Sequence, residues 1–207
     1  MNHNEIPTAT FVVITPEKTS ESLSKLTALL PHYPLFVKPA TEGSSKGVDG
    51  FNKVLDFAEL KQAVQRLQSK LPGEDILVEP FLSGRELTVS ILGTGTDSRV
   101  IGIREFIWPK SSCHSESRND CPNGLDYTSG NSKSCKGDNP LVCNDSHDMA
   151  NTQIKAACQV ALDAWNVFGC RDAGRVDIRF DTDRPDSTPN VLEVSSTYYS
   201  SGSKQET

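Results

Sequence analysis

A lysine that precedes a loop of small residues suggests a phosphate-binding segment in the first quarter of the chain. Apolar residues 35–37 lead into Lys38 and Pro39, and residues 40–48 include two glycines and two serines. A lysine at the end of a buried strand costs free energy unless an anion meets it, and small residues let backbone N–H groups approach a phosphate closely. The same composition also fits a plain strand and a flexible surface loop, since glycine and serine are common in loops.

A second segment, residues 76–89, combines a short strand with an apolar hinge and two glutamates. Glu79 ends the strand, Phe81 and Leu82 follow it, and Glu86 opens the next strand. A strand edge beside an apolar hinge offers backbone groups and apolar surface that suit a flat heterocycle, and Glu86 could accept hydrogen bonds from paired hydroxyls. The alternative is an amphipathic hairpin whose two glutamates are solvated.

Charged residues alternate along a third segment, late in the chain. A period of two places Arg175, Asp177 and Arg179 on one face of a strand. Glu193, on a neighbouring antiparallel strand, could reach the same side as Asp177. Two adjacent carboxylates repel each other unless a cation or a proton lies between them, and hard oxygen ligands near a phosphate suit Mg²⁺. Surface ion pairs, worth about 0–1 kcal/mol, are the competing explanation.

Composition and charge restrict the class of protein. The chain has 207 residues and a formal net charge of −6, which argues against a nucleic-acid partner. It has no apolar run long enough for a membrane span, and residues 1–5 lack the basic-then-apolar layout of a secretory signal. None of the six cysteines forms a CxxC pair, which disfavours zinc and favours reduced thiols. We therefore expect a cytoplasmic protein that binds neither nucleic acid nor membrane.

Hydrophobic periodicity and turn residues predict an α+β chain. Helical spacing is found over residues 19–30, 56–71 and 149–168, and strand patterns over residues 10–14, 35–38, 76–79, 86–92, 99–106, 176–180 and 190–194. The fourth and fifth of these strands are expected to pair in antiparallel fashion. Residues 108–148, rich in Ser, Asn, Gly, Cys and Pro, are expected to form a long loop or a weakly ordered insertion.

Taken in order, these segments resemble the ATP-grasp superfamily and, more narrowly, the D-alanine–D-alanine ligase family. VKPATEGSSKGV at residues 37–48 is similar to that family's lysine and phosphate loop, and EIPTATF at residues 5–11 is similar to the start of its central domain. The resemblance implies an α+β ATP-grasp fold of two subdomains with the nucleotide between them. The subdomains would be residues 1–82 and 83–207, the second with a shortened, atypical C-terminus.

The resemblance also implies a reaction, in which ATP phosphorylates a carboxylate and an amine then attacks the acyl phosphate. The implied catalytic residues are Arg175, which would stabilise the transferred phosphoryl group, and Ser45. The implied nucleotide-binding residues are Lys38, Glu42, Gly43, Ser44, Gly47, Glu79, Phe81, Leu82, Glu86 and Lys133. The implied ligands of Mg²⁺ (or Mn²⁺) are Asp177, Glu193 and Ser195.

Within that set, each nucleotide-binding residue has an implied partner on ATP. Lys38 would hold the phosphates, and the loop at residues 42–47 would close over them. Glu79 would accept a hydrogen bond from the adenine amine, the hinge would contact the base, and Glu86 would bind the ribose. Lys133 would be a second nucleotide lysine.

Two departures from the family pattern leave alternatives open. The chain begins where the family's central domain begins, so the amino-terminal domain is expected to be absent, and Ser195 stands where the family has an asparagine. The expected function is an ATP- and Mg²⁺-dependent carboxylate–amine ligase with a small amino-acid substrate and an unspecified oligomeric state. The alternatives are a truncated, catalytically inactive nucleotide-binding remnant and another carboxylate–amine ligase of the superfamily.

Overall fold

The computed structural model describes residues 4–30, 32–41, 51–107, 142–145 and 148–196. The chain divides into two compact units. We call the described part of residues 9–81 the lysine unit. The described part of residues 4–8, 82–107 and 142–196 is the carboxylate unit. Within the described residues, no helix is both long enough and apolar enough to span a membrane.

The lysine unit is an antiparallel sheet with two helices. Its elements are β1 (Val12–Ile14), α1 (Thr19–Leu29), β2 (Leu35–Pro39), β3 (Lys53–Val54), α2 (Phe57–Lys70) and β4 (Ile76–Pro80). The strand order is β1-β4-β2-β3. One sheet face and the apolar faces of both helices form a single core, whose fully buried members include Ile14, Leu26, Leu35, Val37, Leu60, Val64, Ile76 and Val78. The alternate residues of β2 and β4 are therefore directed to the other face.

Helix α2 begins where the sequence predicts because two reciprocal side-chain hydrogen bonds cap its N-terminus. The Asp56 carboxylate accepts a hydrogen bond from the Glu59 backbone N–H at 2.9 Å. The Glu59 carboxylate in turn accepts from the Leu55 backbone N–H at 2.8 Å. This reciprocal arrangement satisfies amides that have no partner within the helix, and it fixes the helix beside the short strand β3.

The carboxylate unit is a larger antiparallel sheet with one helix. Its elements are β5 (Glu86–Leu92), β6 (Arg99–Ile107), β7 (Val142–Asn144), α3 (Thr152–Val167), β8 (Ala173–Phe180) and β9 (Pro189–Ser196). The strand order is β7-β6-β5-β8-β9. Helix α3 packs on one sheet face through residues such as Ile154, Ala161 and Trp165, and the strands contribute Leu87, Val89, Ile91, Val176, Ile178 and Phe180. The polar residues that alternate with these lie on the opposite face.

Residues 4–8 pack with the carboxylate unit, whereas the sequence predicts that they belong with residues up to 82. Ile6 is buried in the core beneath α3. The Pro7 carbonyl accepts a hydrogen bond from the Val191 N–H at 2.9 Å, so the chain enters along β9. Sequence periodicity cannot reveal this placement because it depends on a contact between the two ends of the chain.

Two strands were not predicted from the sequence. Strand β3 has two residues, which is too short for a period to be recognised. Strand β7 lies inside the segment 108–148 that was expected to be a loop, and it pairs with Glu105–Ile107 of β6. Helix α3 also begins later than predicted, at Thr152, because the Asn151 side chain caps it by accepting from two backbone amides.

A close backbone approach at Gly84 fixes the start of β5. The Gly84 N–H donates to the Phe180 carbonyl at 3.0 Å, and the Phe180 N–H donates to the Arg85 carbonyl at 2.9 Å. A β carbon at position 84 would clash with the Thr182 carbonyl oxygen and would lie 2.7 Å from the Phe180 β carbon. Glycine is therefore required here, and it determines where Glu86, two residues further on, joins the sheet as the first residue of β5.

We expect Gly84→Ala to lower the free energy of unfolding by about 1–3 kcal/mol, the usual cost of overpacking. Gly102→Ala is the matched control, because a β carbon there would meet only the Ser90 β carbon at 3.9 Å. Urea unfolding of both variants measures the difference. Equal losses in the two variants would contradict the close approach at Gly84.

Candidate functional site

In the lysine unit, the sheet face away from the core brings Lys38 and Glu79 together. The register pairs Phe36 with Glu79 and Lys38 with Leu77, so all of these share one face. The Lys38 Nζ donates to the Glu79 Oε1 at 2.7 Å. The two side chains are 23% and 10% exposed, so the pair is largely withdrawn from water. This bond uses one of the three donors of the ammonium group.

Aromatic side chains lie beside this ion pair. The Phe36 and Phe81 rings have centroids 6.3 Å apart with their planes tilted by 48°. Strand β3 places Lys53 opposite Phe36, and its Nζ lies 4.3 Å from the Phe81 ring centroid. Sequence reasoning missed Lys53, because a two-residue strand carries no periodic signal. A flat apolar surface between ammonium groups suits a heterocyclic, anionic ligand.

In the carboxylate unit, the predicted alternation along β8 is observed. Asp177 is the register partner of Thr88 on β5 and of Glu193 on β9. Arg175 pairs in the same way with Ser195. All five residues share one sheet face, since directly opposite residues in antiparallel strands point to the same side.

Asp177 is the centre of a small polar cluster on this face. The Thr88 hydroxyl donates to the Asp177 Oδ1 at 2.6 Å, and the Arg175 Nε lies 3.6 Å from the same oxygen. The Ser195 hydroxyl donates to the Glu193 Oε1 at 3.0 Å. Thr88 was not singled out from the sequence, although it occupies the alternate position after Glu86 in the same strand.

The environment of Asp177 raises the pKa of its carboxyl group above the ordinary value. Burial is the main cause, and the negative charge of Glu193 acts in the same direction. The hydrogen bond from Thr88 and the positive charge of Arg175 oppose this but do not cancel it. A cation placed against Asp177 and Glu193 would relieve both unfavourable effects.

Glu86 lies on the same face, two residues before Thr88 along β5. It is the direct partner of Arg179 across β5 and β8. The Arg179 Nη1 donates to the Glu86 Oε2 at 2.5 Å, with side chains 5% and 18% exposed. The residue predicted to bind paired hydroxyls is thus held in place by the third charged residue of the β8 alternation.

The two units each hold part of the predicted set. Lys38, Glu79 and Phe81 lie together in the lysine unit. In the carboxylate unit lie Leu82, which is buried, and Glu86, Arg175, Asp177, Glu193 and Ser195. Six predicted positions lie outside the described residues, namely Glu42, Gly43, Ser44, Ser45, Gly47 and Lys133.

The donor set of the carboxylate unit is sparse but chemically suited to Mg²⁺. Among the residues that the structure describes, no three or more His, Cys, Asp and Glu side chains cluster as a metal site. Asp177 and Glu193 supply two facing carboxylates, with the Ser195 hydroxyl beside them. Mg²⁺ in nucleotide sites is commonly held by one or two carboxylates together with phosphates and waters, so these residues fit that ion.

Comparison with known families and proteins gives consistent matches. A family model described as D-ala D-ala ligase C-terminus matches residues 1–195. The D-alanine–D-alanine ligase of Janthinobacterium sp. (strain Marseille) is 31% identical over 189 residues, which cover 91% of this chain and 52% of that protein. The D-alanine–D-alanine ligase of Xanthomonas axonopodis pv. citri is 38% identical over 148 residues, covering 72% and 38% respectively.

Solved structures of ligases share the fold. VanG D-Ala:D-Ser ligase from Enterococcus faecalis aligns with a TM-score of 0.65 and 20% identity, covering 94% of this chain and 49% of that one. D-alanine–D-alanine ligase from Bacillus anthracis, complexed with ATP, aligns with a TM-score of 0.62 and 17% identity, covering 94% and 51%. These likenesses confirm the predicted ATP-grasp fold. The chain spans about half the length of these proteins, and less of the Xanthomonas relative.

The surroundings of Asp177 predict opposite effects of two neutralising substitutions. Glu193→Gln should lower the pKa of the Asp177 carboxyl by removing a nearby negative charge, and Arg175→Gln should raise it by removing a positive one. Carboxyl-carbon NMR titration measures the pKa in each variant.

The free energy of unfolding, measured as a function of pH in the unmodified chain and in Asp177→Asn, provides an independent check. Because the pKa is raised on folding, the folded state holds the proton more tightly than the unfolded chain. The contribution of Asp177 to stability therefore falls as the pH rises above the ordinary aspartate pKa. Asp177→Asn should remove this loss. In the NMR titration, a shift of the Asp177 pKa in the same direction in Glu193→Gln and Arg175→Gln would contradict the cluster described above.

Proposed function

This chain belongs to the D-alanine–D-alanine ligase family, whose C-terminal part it matches, and on that premise we propose that it carries the nucleotide-binding machinery of an ATP-dependent carboxylate–amine ligase. The observation that carries the proposal is the arrangement of Asp177 and Glu193 as register partners with Arg175 beside them. Asp177 is partly buried and its register partner Glu193 is exposed, and two adjacent carboxylates repel each other unless a cation or a proton lies between them.

The lysine unit supports the nucleotide part of the proposal. Lys38 would donate to phosphate oxygens, and its bond to Glu79 would hold the ammonium in place until a nucleotide arrives. Glu79 would accept from the adenine amine, with Phe81 and Leu82 as the apolar hinge. In the second unit Glu86 would accept from the ribose hydroxyls. Lys133 and the loop positions Glu42, Gly43, Ser44, Ser45 and Gly47 complete the proposed set.

Arg175 and the carboxylates support the phosphoryl-transfer part. Arg175 is half exposed, so its guanidinium can reach a ligand while remaining next to Asp177. Asp177, Glu193 and Ser195 would hold Mg²⁺, or Mn²⁺, which supplies positive charge beside the phosphates when bound. ATP, when bound, supplies the phosphoryl group that activates a carboxylate for attack by an amine.

The substrate proposal rests on the relatives. Those named above are D-alanine–D-alanine ligases, so D-alanine is the first amino acid to test. The L-amino acid ligase of Bacillus licheniformis also shares the fold, with a TM-score of 0.58 and 20% identity, and a ligase of that kind is the alternative. A nucleotide-binding protein without ligation is a third candidate, favoured by Ser195, a neutral ligand already engaged by Glu193.

We expect Mg²⁺ and ATP to raise the thermal unfolding temperature of the chain, because a ligand that binds only the folded state stabilises it by mass action. Lys38→Ala should reduce that shift strongly. Lys25→Ala is the matched control, since Lys25 is an exposed lysine that also pairs with a glutamate, Glu21. The double variant Lys38→Ala/Glu79→Gln removes the unpaired carboxylate that Lys38→Ala leaves behind.

Turnover then separates the candidates. Release of ADP and phosphate that depends on D-alanine supports ligation, and dependence on L-amino acids instead supports the alternative ligase. Binding of ATP without turnover supports the nucleotide-binding candidate. The proposal fails if ATP leaves the unfolding temperature of the unmodified chain unchanged, or if Lys38→Ala and Lys25→Ala respond alike.

A further inference from the structure

Arg179 is the third charged residue of the β8 alternation, and the proposed function leaves it without a role. Among the arginines that the structure describes it is the most buried, with 4% of its surface exposed. It shares a sheet face with Asp177 and Arg175. Four residues along a strand separate Arg179 from Arg175, or roughly 13 Å at the usual rise per residue. Arg179 therefore acts at a different point of this face from the phosphoryl group.

The contact between Arg179 and Glu86 is directional. Its Nη1 donates to the Glu86 Oε2 at 2.5 Å across the β5–β8 register pair. Withdrawing a guanidinium and a carboxylate from water costs free energy that their attraction often only just recovers, so stability alone is a weak reason for the pair. A charge-assisted hydrogen bond does, however, fix the direction in which a carboxylate presents its oxygens.

We propose that Arg179 is a positioning residue for Glu86, and that through Glu86 it sets the preference of the nucleotide site for ribose over deoxyribose. The inference rests on the proposed function, in which Glu86 accepts from the ribose hydroxyls. A site built to hydrogen-bond a hydroxyl rejects the analogue that lacks it, because its buried polar group is then left unmatched. That rejection needs an acceptor held in one orientation, which Arg179 provides.

The test compares the affinities of ATP and its 2′-deoxy and 3′-deoxy analogues by calorimetry in the presence of Mg²⁺. The unmodified chain should prefer ATP to at least one of these analogues by about tenfold, as expected for loss of a hydrogen bond to a charged acceptor. Arg179→Met should reduce that preference to about twofold, mainly by lowering the affinity for ATP. Arg179→Lys, which keeps a cation near Glu86, should retain most of it.

Two further variants distinguish positioning from general damage. Arg85→Met removes another ion-paired arginine, directly before the central strand β5. Its Nε donates to the Glu105 Oε1 at 2.6 Å, and its Nη1 donates to Gln153 of α3, so it lies on the helix-covered side. This variant should keep the full preference for ATP even if it lowers stability. Glu86→Gln should lose the preference while leaving Arg179 present, and adding Arg179→Met to it should cause no further loss, as expected for residues that act as a unit.

Three results would overturn the inference. The first is that Arg179→Met binds ATP and the deoxynucleotides with the same tenfold ratio as the unmodified chain. The second is that the affinity lost in Arg179→Met grows from adenosine through AMP to ATP, which would place Arg179 on the phosphates. If the unmodified chain binds none of these nucleotides, the proposed function itself fails. Should Arg179→Met not fold, Arg179→Gln, which removes the positive charge but keeps a polar side chain, decides the question by the same ratio.

Discussion

The antiparallel register that joins β8 to β5 on one side and β9 on the other is the constraint on which the carboxylate unit depends. It aligns Asp177 with both Thr88 and Glu193, and the intervening residues Val176 and Ile178 pack beneath α3. A slip of one residue would turn every charged side chain into the core. The burial of the apolar set therefore fixes the positions of the polar set, and the helix contributes to the site without touching it.

In the lysine unit, ion pairing compensates the free energy that is lost when charged groups are buried. Glu79 is 8% exposed, and its bond to Lys38 offsets the loss of hydration that an isolated carboxylate would suffer. In the carboxylate unit, the ion pair between Glu86 and Arg179 offsets the same loss of hydration. Asp177 is the exception, because its nearest partners leave its pKa raised. A cation placed beside Asp177 would offset that unfavourable effect.

Much of the scaffold could be predicted because strong periodic patterns and turn residues agree. The strand at Glu86–Leu92 was placed with the observed bounds, and the alternation at Arg175, Asp177 and Arg179 correctly predicted one shared face. Strand β7 could not be predicted, because its three residues gain stability only by pairing with β6. The Glu86–Arg179 hydrogen bond could not be predicted either, because local spacing does not determine the order of strands in a sheet. The roles proposed for individual site residues come from resemblance to a family and stay predictions.

The most direct test of the central claim is paramagnetic relaxation by Mn²⁺ substituted for Mg²⁺, followed by NMR with ATP present. Because the effect falls steeply with distance, the signals of Asp177 and Glu193 should broaden selectively, and only when ATP is present. The exposed acidic turn that carries Asp183 and Asp186 is the internal control, and its signals should stay sharp. Broadening centred on that turn, or spread evenly over the chain, would contradict a cation site between β8 and β9.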